Sequence, residues 1–131
     1  MSCGRTYWIL PLVLSLSFVS FAADKKQLSD ALAAVNANLK TPEGKRYDEQ
    51  IGKEFMPSFG AALKQCKQSA PSGSTSPFDM FLKLNADGSV SEGLVYPESA
   101  FAACARGVLL KGKFSPPPRG DHWVNVHFDL K

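Results

Sequence analysis

The side chains that could perform acid–base or metal chemistry are concentrated near the C-terminus of this sequence. Asp121 and His122 are adjacent, and His127 and Asp129 follow shortly after them. Because side chains alternate along a strand, His127 and Asp129 share one face of the strand predicted here, where they could bind a metal ion or transfer a proton. The sequence offers no third ligand close to this pair, so a solvated sheet face is the better interpretation.

No other segment carries a motif of a known reaction. The sequence lacks the Ser, His and Asp order of a hydrolase, a Gly-rich phosphate loop and a convincing pair of carboxylates. Asn85-Ala86-Asp87-Gly88 shares elements with calcium loops, but the remaining ligands and the closing Glu are missing, which favours a hairpin turn. Arg119-Gly120-Asp121 matches a short adhesion tripeptide and is interpreted as a turn. We therefore expect a protein that is not an enzyme and that binds no cofactor and no metal.

The N-terminus predicts a cleaved signal peptide over residues 1–22. Arg5 is the only charge before Asp24, and residues 7–21 are apolar or small, with Pro11 as the one helix breaker. Ser20-Phe21-Ala22 fits the small-x-small rule for a cleavage site. The alternative is a retained membrane anchor, for which the apolar run is short. A cleaved signal implies a periplasmic or secreted chain, and with the signal removed we expect no stable membrane span.

Cys66 and Cys104 are the two cysteines that would remain after cleavage, because Cys3 belongs to the signal segment. An even pair in an exported chain favours a disulfide bond. Closing the long loop between them would stabilise the fold by roughly 4 kcal/mol at most. Two buried free thiols are the alternative. A metal site is a poorer interpretation, since there is no Cys-x-x-Cys and no His near either residue.

Length and charge are those of one globular domain. The 131 residues suffice for one domain and not two, and the 44% hydrophobic and 21% charged content is ordinary. The net charge of +3 comes without a long basic run. Nucleic acid is therefore not an expected partner.

The N-terminal half, residues 23–68, is predicted to be helical and packed on the core. One helix runs from Asp24 to Lys40, and a second begins with Thr41 as its N-cap and Pro42 at its first position. Met56-Pro57 is expected to end this second helix, because proline disrupts a helix interior. A further short helix would then run from Pro57 to about Lys67, with Cys66 facing the core. A linker, residues 69–77, separates this half from the next.

The C-terminal half, residues 78–131, predicts the order strand, turn, strand, helix, proline corner and strand. Phe78 to Leu84 alternates, with Phe81 on the face opposite Phe78. In the return strand, Val90, Leu94 and Tyr96 are expected to share a face. The helix after Pro97-Glu98-Ser99 has an expected buried stripe. This stripe contains Phe101, Cys104, Ala105, Val108 and Leu109.

The last strand is amphipathic. Its inward residues are expected to be Val124, Val126, Phe128 and Leu130. Its outward residues are expected to be Trp123, Asn125, His127 and Asp129. The outward Trp123, together with Phe81 and Tyr96, would form an exposed apolar patch of the kind that marks an interaction site.

The C-terminal half resembles the TonB C-terminal domain and the related C-terminal domains of the AgmX/PglI type. The resemblance covers about residues 66–131. It rests on the following motifs: Phe-x-x-Phe-Leu-Lys-Leu, Asn-Ala-Asp-Gly-Ser-Val, Leu-Val-Tyr-Pro, the helix with Cys104, Lys-Phe-Ser-Pro-Pro-Pro, and the closing Val-Asn-Val-His-Phe-Asp-Leu. It implies a ββαβ unit whose sheet has three antiparallel strands. Together with the helical N-terminal segment, which lies outside the resemblance, the expected fold class is α+β.

The resemblance also implies a function, which is binding a protein partner in the cell envelope. In TonB-like domains a sheet edge takes up a strand of the partner. Carried over, the edge is residues 123–130. The candidate contact residues are Trp123, Asn125, His127, Asp129 and Phe81. The membrane anchor and long Pro-rich spacer of TonB are not expected here once the signal is removed.

A small periplasmic inhibitor or immunity protein, acting on an envelope enzyme or toxin, is the alternative function. It fits the size, the export signal and the expected disulfide equally well. It predicts one tight partner and a protruding loop, either residues 69–77 or the proline corner at residues 116–120. The sequence leaves the partner and the oligomeric state open.

Overall fold

The computed structural model describes residues 24–71 and 76–130. The elements within this part of the chain are α1 (Lys25–Leu39), α2 (Pro42–Ser69), β1 (Phe78–Leu84), β2 (Val90–Tyr96), α3 (Ala100–Leu110) and β3 (His122–Phe128). Helices are thus followed by a three-stranded antiparallel sheet, which confirms the predicted α+β class. The predicted signal peptide and its cleavage site lie outside the described residues, as do residues 72–75 of the expected linker.

Helix α1 forms where its cap and its composition predict. The Asp24 side chain accepts a hydrogen bond from the Gln27 backbone N–H, and the Gln27 side-chain oxygen accepts one from the Asp24 backbone N–H, forming a capping box. Ala31 and Val35 are the buried residues of this helix. Such a narrow, small-residue face lets the helix axis approach the sheet closely.

Helix α2 is one continuous helix of 28 residues, so the predicted break at Met56-Pro57 is wrong. Thr41 caps its start and Pro42 occupies the first turn, as expected. Pro57 lies on an exposed side of the helix. The buried stripe keeps three- and four-residue spacing on both sides of Pro57, and burial of this stripe outweighs the missing backbone hydrogen bond. The stripe comprises Tyr47, Ile51, Phe59, Leu63 and Cys66, with partly buried Phe55 between Ile51 and Phe59.

The sheet has the order β2-β1-β3 with both pairings antiparallel. The β1–β2 turn has Gly88 at φ +88°, where a Cβ atom would approach the Phe114 carbonyl oxygen to 1.9 Å. The Phe114 N–H donates to the Gly88 carbonyl at 2.9 Å. The predicted hairpin is therefore also an anchor for the segment that follows α3.

An irregularity in β2 changes one predicted face. The register with β1 shifts between Lys83 and Leu84, so that Leu84 pairs with Val90 while Lys83 pairs with Glu92. This extra residue turns Val90 to the face of Leu84, opposite Leu94. The expectation that Val90 shares a face with Leu94 and Tyr96 is therefore wrong.

Helix α3 carries the second cysteine. Its buried residues are Phe101, Ala102, Ala105 and Leu109, which confirms most of the predicted stripe. Cys104 is exposed rather than inward-facing, because the buried side of the helix is centred on Ala102 and Ala105. The predicted disulfide is nevertheless present, with the Cα atoms of Cys66 and Cys104 separated by 5.7 Å. It connects α2 to α3.

The two faces of the sheet are covered by different helices. On one face, α2 and α3 enclose the main core, which includes Met80, Leu82 and Phe128. On the other face, α1 covers a smaller cluster that contains Phe81 and Leu94. Central strand β1 is consequently buried on both faces, whereas β2 and β3 are the outer strands.

Candidate functional site

The four residues nominated for acid–base chemistry do not form one cluster. His122 and His127 lie near opposite ends of β3, about 17 Å apart along a strand. They also point to opposite faces of the sheet, since His122 pairs with inward Leu84 and His127 pairs with Asp79. The two histidines therefore do not share a site.

His127 pairs with a residue that the sequence did not single out. Its Nδ1 atom lies 3.0 Å from an Asp79 carboxylate oxygen on the neighbouring strand, and both side chains are solvent-exposed. The cross-strand partner of Asp79 on the other side is Tyr96, whose side chain is 63% exposed. Among residues 24–71 and 76–130, no three His, Cys, Asp or Glu side chains are grouped to hold a metal ion. The row formed by Tyr96, Asp79 and His127 is a polar surface.

His122 is buried instead and has a structural environment. Only 7% of the residue is exposed, and its ring meets the edge of the Tyr47 ring with centroids 5.0 Å apart. Burial lowers the pKa of His122, with a smaller opposing effect from Asp48. The Tyr47 hydroxyl donates to the Ser115 carbonyl oxygen at 2.7 Å, and burial raises the pKa of Tyr47. These contacts join β3, α2 and Ser115, the residue before the proline corner.

The predicted outward apolar patch is not exposed as expected. Phe81 is only 7% exposed and Trp123 is partly buried, because α1 lies over both. The Asn38 side chain of α1 also donates a hydrogen bond to the Trp123 carbonyl oxygen at 3.1 Å. Of the predicted patch, Tyr96 alone remains largely exposed. The N-terminal end of β3 is therefore covered by α1.

The C-terminal half of β3 is the more accessible part of the strand. His127 and Asp129 are exposed, and Asn125 is partly buried. The Asn125 side-chain oxygen is buried without a hydrogen-bond partner within the described part of the chain. Such an atom normally carries a free-energy cost, so it marks a position where packing alone does not account for the residue type.

The outer edge of β3 is unpaired and regular. Within the part of the chain that the structure describes, β3 pairs with β1 alone, through seven consecutive residue pairs without a register shift. The other outer strand, β2, has its pairing interrupted by the irregularity at Leu84 and Val90. Irregularities of this kind discourage a further strand from pairing with an edge. Of the two outer strands, β3 therefore offers the better edge for pairing with a further strand.

A groove of about 540 Å³ lies between β3 and α2. Its walls are mainly apolar, and two lysines, Lys64 and Lys67, lie on its α2 side. The apolar residues that line it are Phe55, Met56, Leu63, Phe101, Val126, Phe128 and Leu130. His127 and Asp129 complete the β3 side, and Gly60 lies on the α2 side. The edge of β3 is thus flanked by a concave apolar surface.

The contribution of α2 to this groove was missed by the sequence analysis. Ending the helix at Met56 separated Phe55 and Met56 from Gly60, Leu63 and Lys64, which in the structure follow one side of a single helix. The signal available in the sequence was the unbroken four-residue spacing from Tyr47 to Leu63. That spacing predicts one helix despite the proline.

No described helix is long and apolar enough to cross a membrane. Comparison of the chain with protein-family models, with curated proteins and with solved structures finds no match in any of the three.

Proposed function

We propose that this chain is a non-catalytic periplasmic or secreted module that binds a protein partner by adding a strand of that partner to the edge of β3. The observation that carries the proposal is the regular edge of β3, whose seven residues pair with β1 alone among the residues that the structure describes. An edge strand presents unpaired N–H and C=O groups, and these supply main-chain hydrogen bonds to an extended segment. The strand and helix order agrees with the resemblance to TonB-like C-terminal domains.

The geometry favours the C-terminal half of β3 as the contact region. Asn38 already occupies the Trp123 carbonyl at the other end. His127 and Asp129 are exposed, and the groove lies beside them. A strand added about 4.8 Å from β3 would direct alternate side chains toward this groove. The partner segment is therefore expected to be extended and to carry apolar residues at alternate positions.

Site-specific photo-crosslinking in the native cell tests this function. A photo-reactive residue in place of His127 should give a covalent adduct with a defined partner. The same residue in place of Ser91, an exposed position on the opposite edge strand β2, is the matched control and should give none. Equal adducts from both positions, or adducts from neither, would contradict the proposal.

A third photo-reactive position distinguishes the proposed strand addition from the inhibitor alternative. Pro118 is exposed in the proline corner, away from the C-terminal half of β3. An inhibitor that inserts this corner into an enzyme would give its adduct from Pro118 and not from His127. Mass spectrometry of the adduct then identifies the class of partner.

A further inference from the structure

The groove between α2 and β3 has the size and the lining of a small-molecule site. Its volume of about 540 Å³ falls within the roughly 300–1,000 Å³ usual for ligand pockets. Such pockets combine mostly apolar walls with a few polar groups that orient the ligand. Here Leu63 and Phe101 contribute apolar surface from the two helices, and Val126 and Leu130 contribute it from β3 and the residues after it.

The shape of the groove suits a narrow, elongated ligand. The α2 wall extends from Phe55 to Lys67, a rise of about 18 Å along the helix. Apart from the two lysines, α2 lines this wall with apolar residues and Gly60. A peptide backbone lying against the wall would leave its polar groups without partners, at a free-energy cost. An alkyl chain has no such groups.

The charges lie toward one end of the α2 wall. Lys64 and Lys67 are exposed, and neither forms an ion pair with a carboxylate among residues 24–71 and 76–130. Lysine stems pack along apolar surface while the ammonium group remains at the water boundary. The titratable groups on the facing side are His127 and Asp129. The two ammonium groups outnumber the single carboxylate, so this end favours an anion.

From the apolar lining, the length and the paired lysines together, we propose that the groove binds a single-chain fatty carboxylate. The alkyl chain lies along Phe55, Leu63 and Phe101, and the carboxylate accepts hydrogen bonds from the Lys64 and Lys67 ammonium groups. This activity goes beyond the proposed partner binding and does not depend on it. It needs neither a partner chain nor a free strand edge.

Direct binding of defined probes tests the proposal. Sodium octanoate, decanoate and dodecanoate, each below its critical micelle concentration, are titrated into the purified protein by calorimetry. We expect one site per chain and affinity that rises by up to about four-fold for each added methylene group. Decanol, which is neutral, and decyltrimethylammonium, which is cationic, should bind at least ten-fold more weakly than decanoate.

Paired variants locate the site. Gly60 lines the groove, and an added Cβ atom there meets only the flexible end of Met56, at 3.2 Å. Gly60→Leu should fill the groove and abolish decanoate binding. Gly52→Leu is the matched control, since Gly52 lies on the same helix with open space around it. It should bind decanoate as the unmodified protein does.

Charge variants keep the proposal testable if Gly60→Leu fails to fold. Lys64→Gln with Lys67→Gln should weaken decanoate binding at least ten-fold and leave decanol binding unchanged. Lys45→Gln with Lys53→Gln, two exposed lysines of α2 outside the groove, should change neither. The proposal is overturned if no probe binds, if anionic, neutral and cationic chains bind equally, or if the Lys64 and Lys67 variants behave like the control pair.

Discussion

At the start of β3, the His122 ring lies in the core against Tyr47, while the Asp48 carboxylate and the Arg119 guanidinium act on it from α2 and the proline corner. Burial disfavours the charged imidazolium, and this effect exceeds the attraction to Asp48, so the pKa of His122 is lower in the folded chain than its ordinary value of 6.5. The unfolded chain therefore binds a proton at this residue more readily than the folded chain does.

The stability of the protein should consequently fall as pH decreases below about 6.5. Above that pH, neutral His122 makes its full contribution to the free energy of unfolding. As the pH falls toward the lower pKa of the folded state, this contribution decreases by at most about 1.4 kcal/mol per pH unit. Urea unfolding between pH 7.5 and 5.5 measures it. His122→Leu should flatten the slope. An unchanged slope in His122→Leu would assign the pH dependence to other groups.

Residues of the strands show what side-chain alternation can predict and what it cannot. Alternation correctly predicted that Val124 and Phe128 face the core and that His127 faces away from it. It could not predict that His127 contacts Asp79, because a cross-strand contact depends on the register between two strands. The register irregularity that turns Val90 to the other face also depends on strand pairing, so alternation could not predict it.

Among the helices and strands, α2 is the one in which the local sequence and the long-range packing favour different structures. Pro57 cannot donate its backbone hydrogen bond and disfavours a helical preceding residue, which predicts a break. The helix nevertheless continues, because Ile51 on one side and Phe59 and Leu63 on the other pack into the same core. The location and type of the other helices and strands could be predicted from caps and periodicity. The continuity of α2, and with it the groove, required the tertiary packing.

Pro57→Ala should therefore stabilise the protein. The substitution restores the missing hydrogen-bond donor at an exposed position, and we expect the free energy of unfolding to rise by about 1–2 kcal/mol. This gain is smaller than the roughly 3 kcal/mol cost of proline in a free helix, because proline also restricts the unfolded chain. Thermal unfolding at pH 7.5 measures the change. Ser58→Ala, at the adjacent exposed position, controls for helix propensity and should shift stability by less than about 0.5 kcal/mol. A destabilised Pro57→Ala variant would show that the packing requires the proline.

At the scale of the whole molecule, helices cover both faces of a three-stranded sheet, and a disulfide bond joins two of these helices. The Cys66–Cys104 disulfide connects α2 to α3, the two helices that form the main core with the sheet. The sequence predicted this pair from the count of cysteines and the expected export signal. It could not predict that Cys66 is 3% exposed while Cys104 lies on the surface, since this depends on how α3 is rotated on the sheet.

Replacing both cysteines by alanine should destabilise the protein by about 2–4 kcal/mol, because the bond closes a loop with a sequence separation of 38 residues and so restricts the unfolded chain. Urea unfolding of the unmodified protein, with and without a thiol reductant, measures the same quantity independently. The reduced protein and the double variant should agree, and the double variant should not respond to the reductant. Two alkylatable thiols in the intact mass of the unreduced protein, or equal stability with and without reductant, would contradict this assignment. If the double variant is less stable but still folded at low temperature, the proposed partner binding at the β3 edge should persist there. This result would separate the effect of the bond on stability from the proposed role of β3 in recognition.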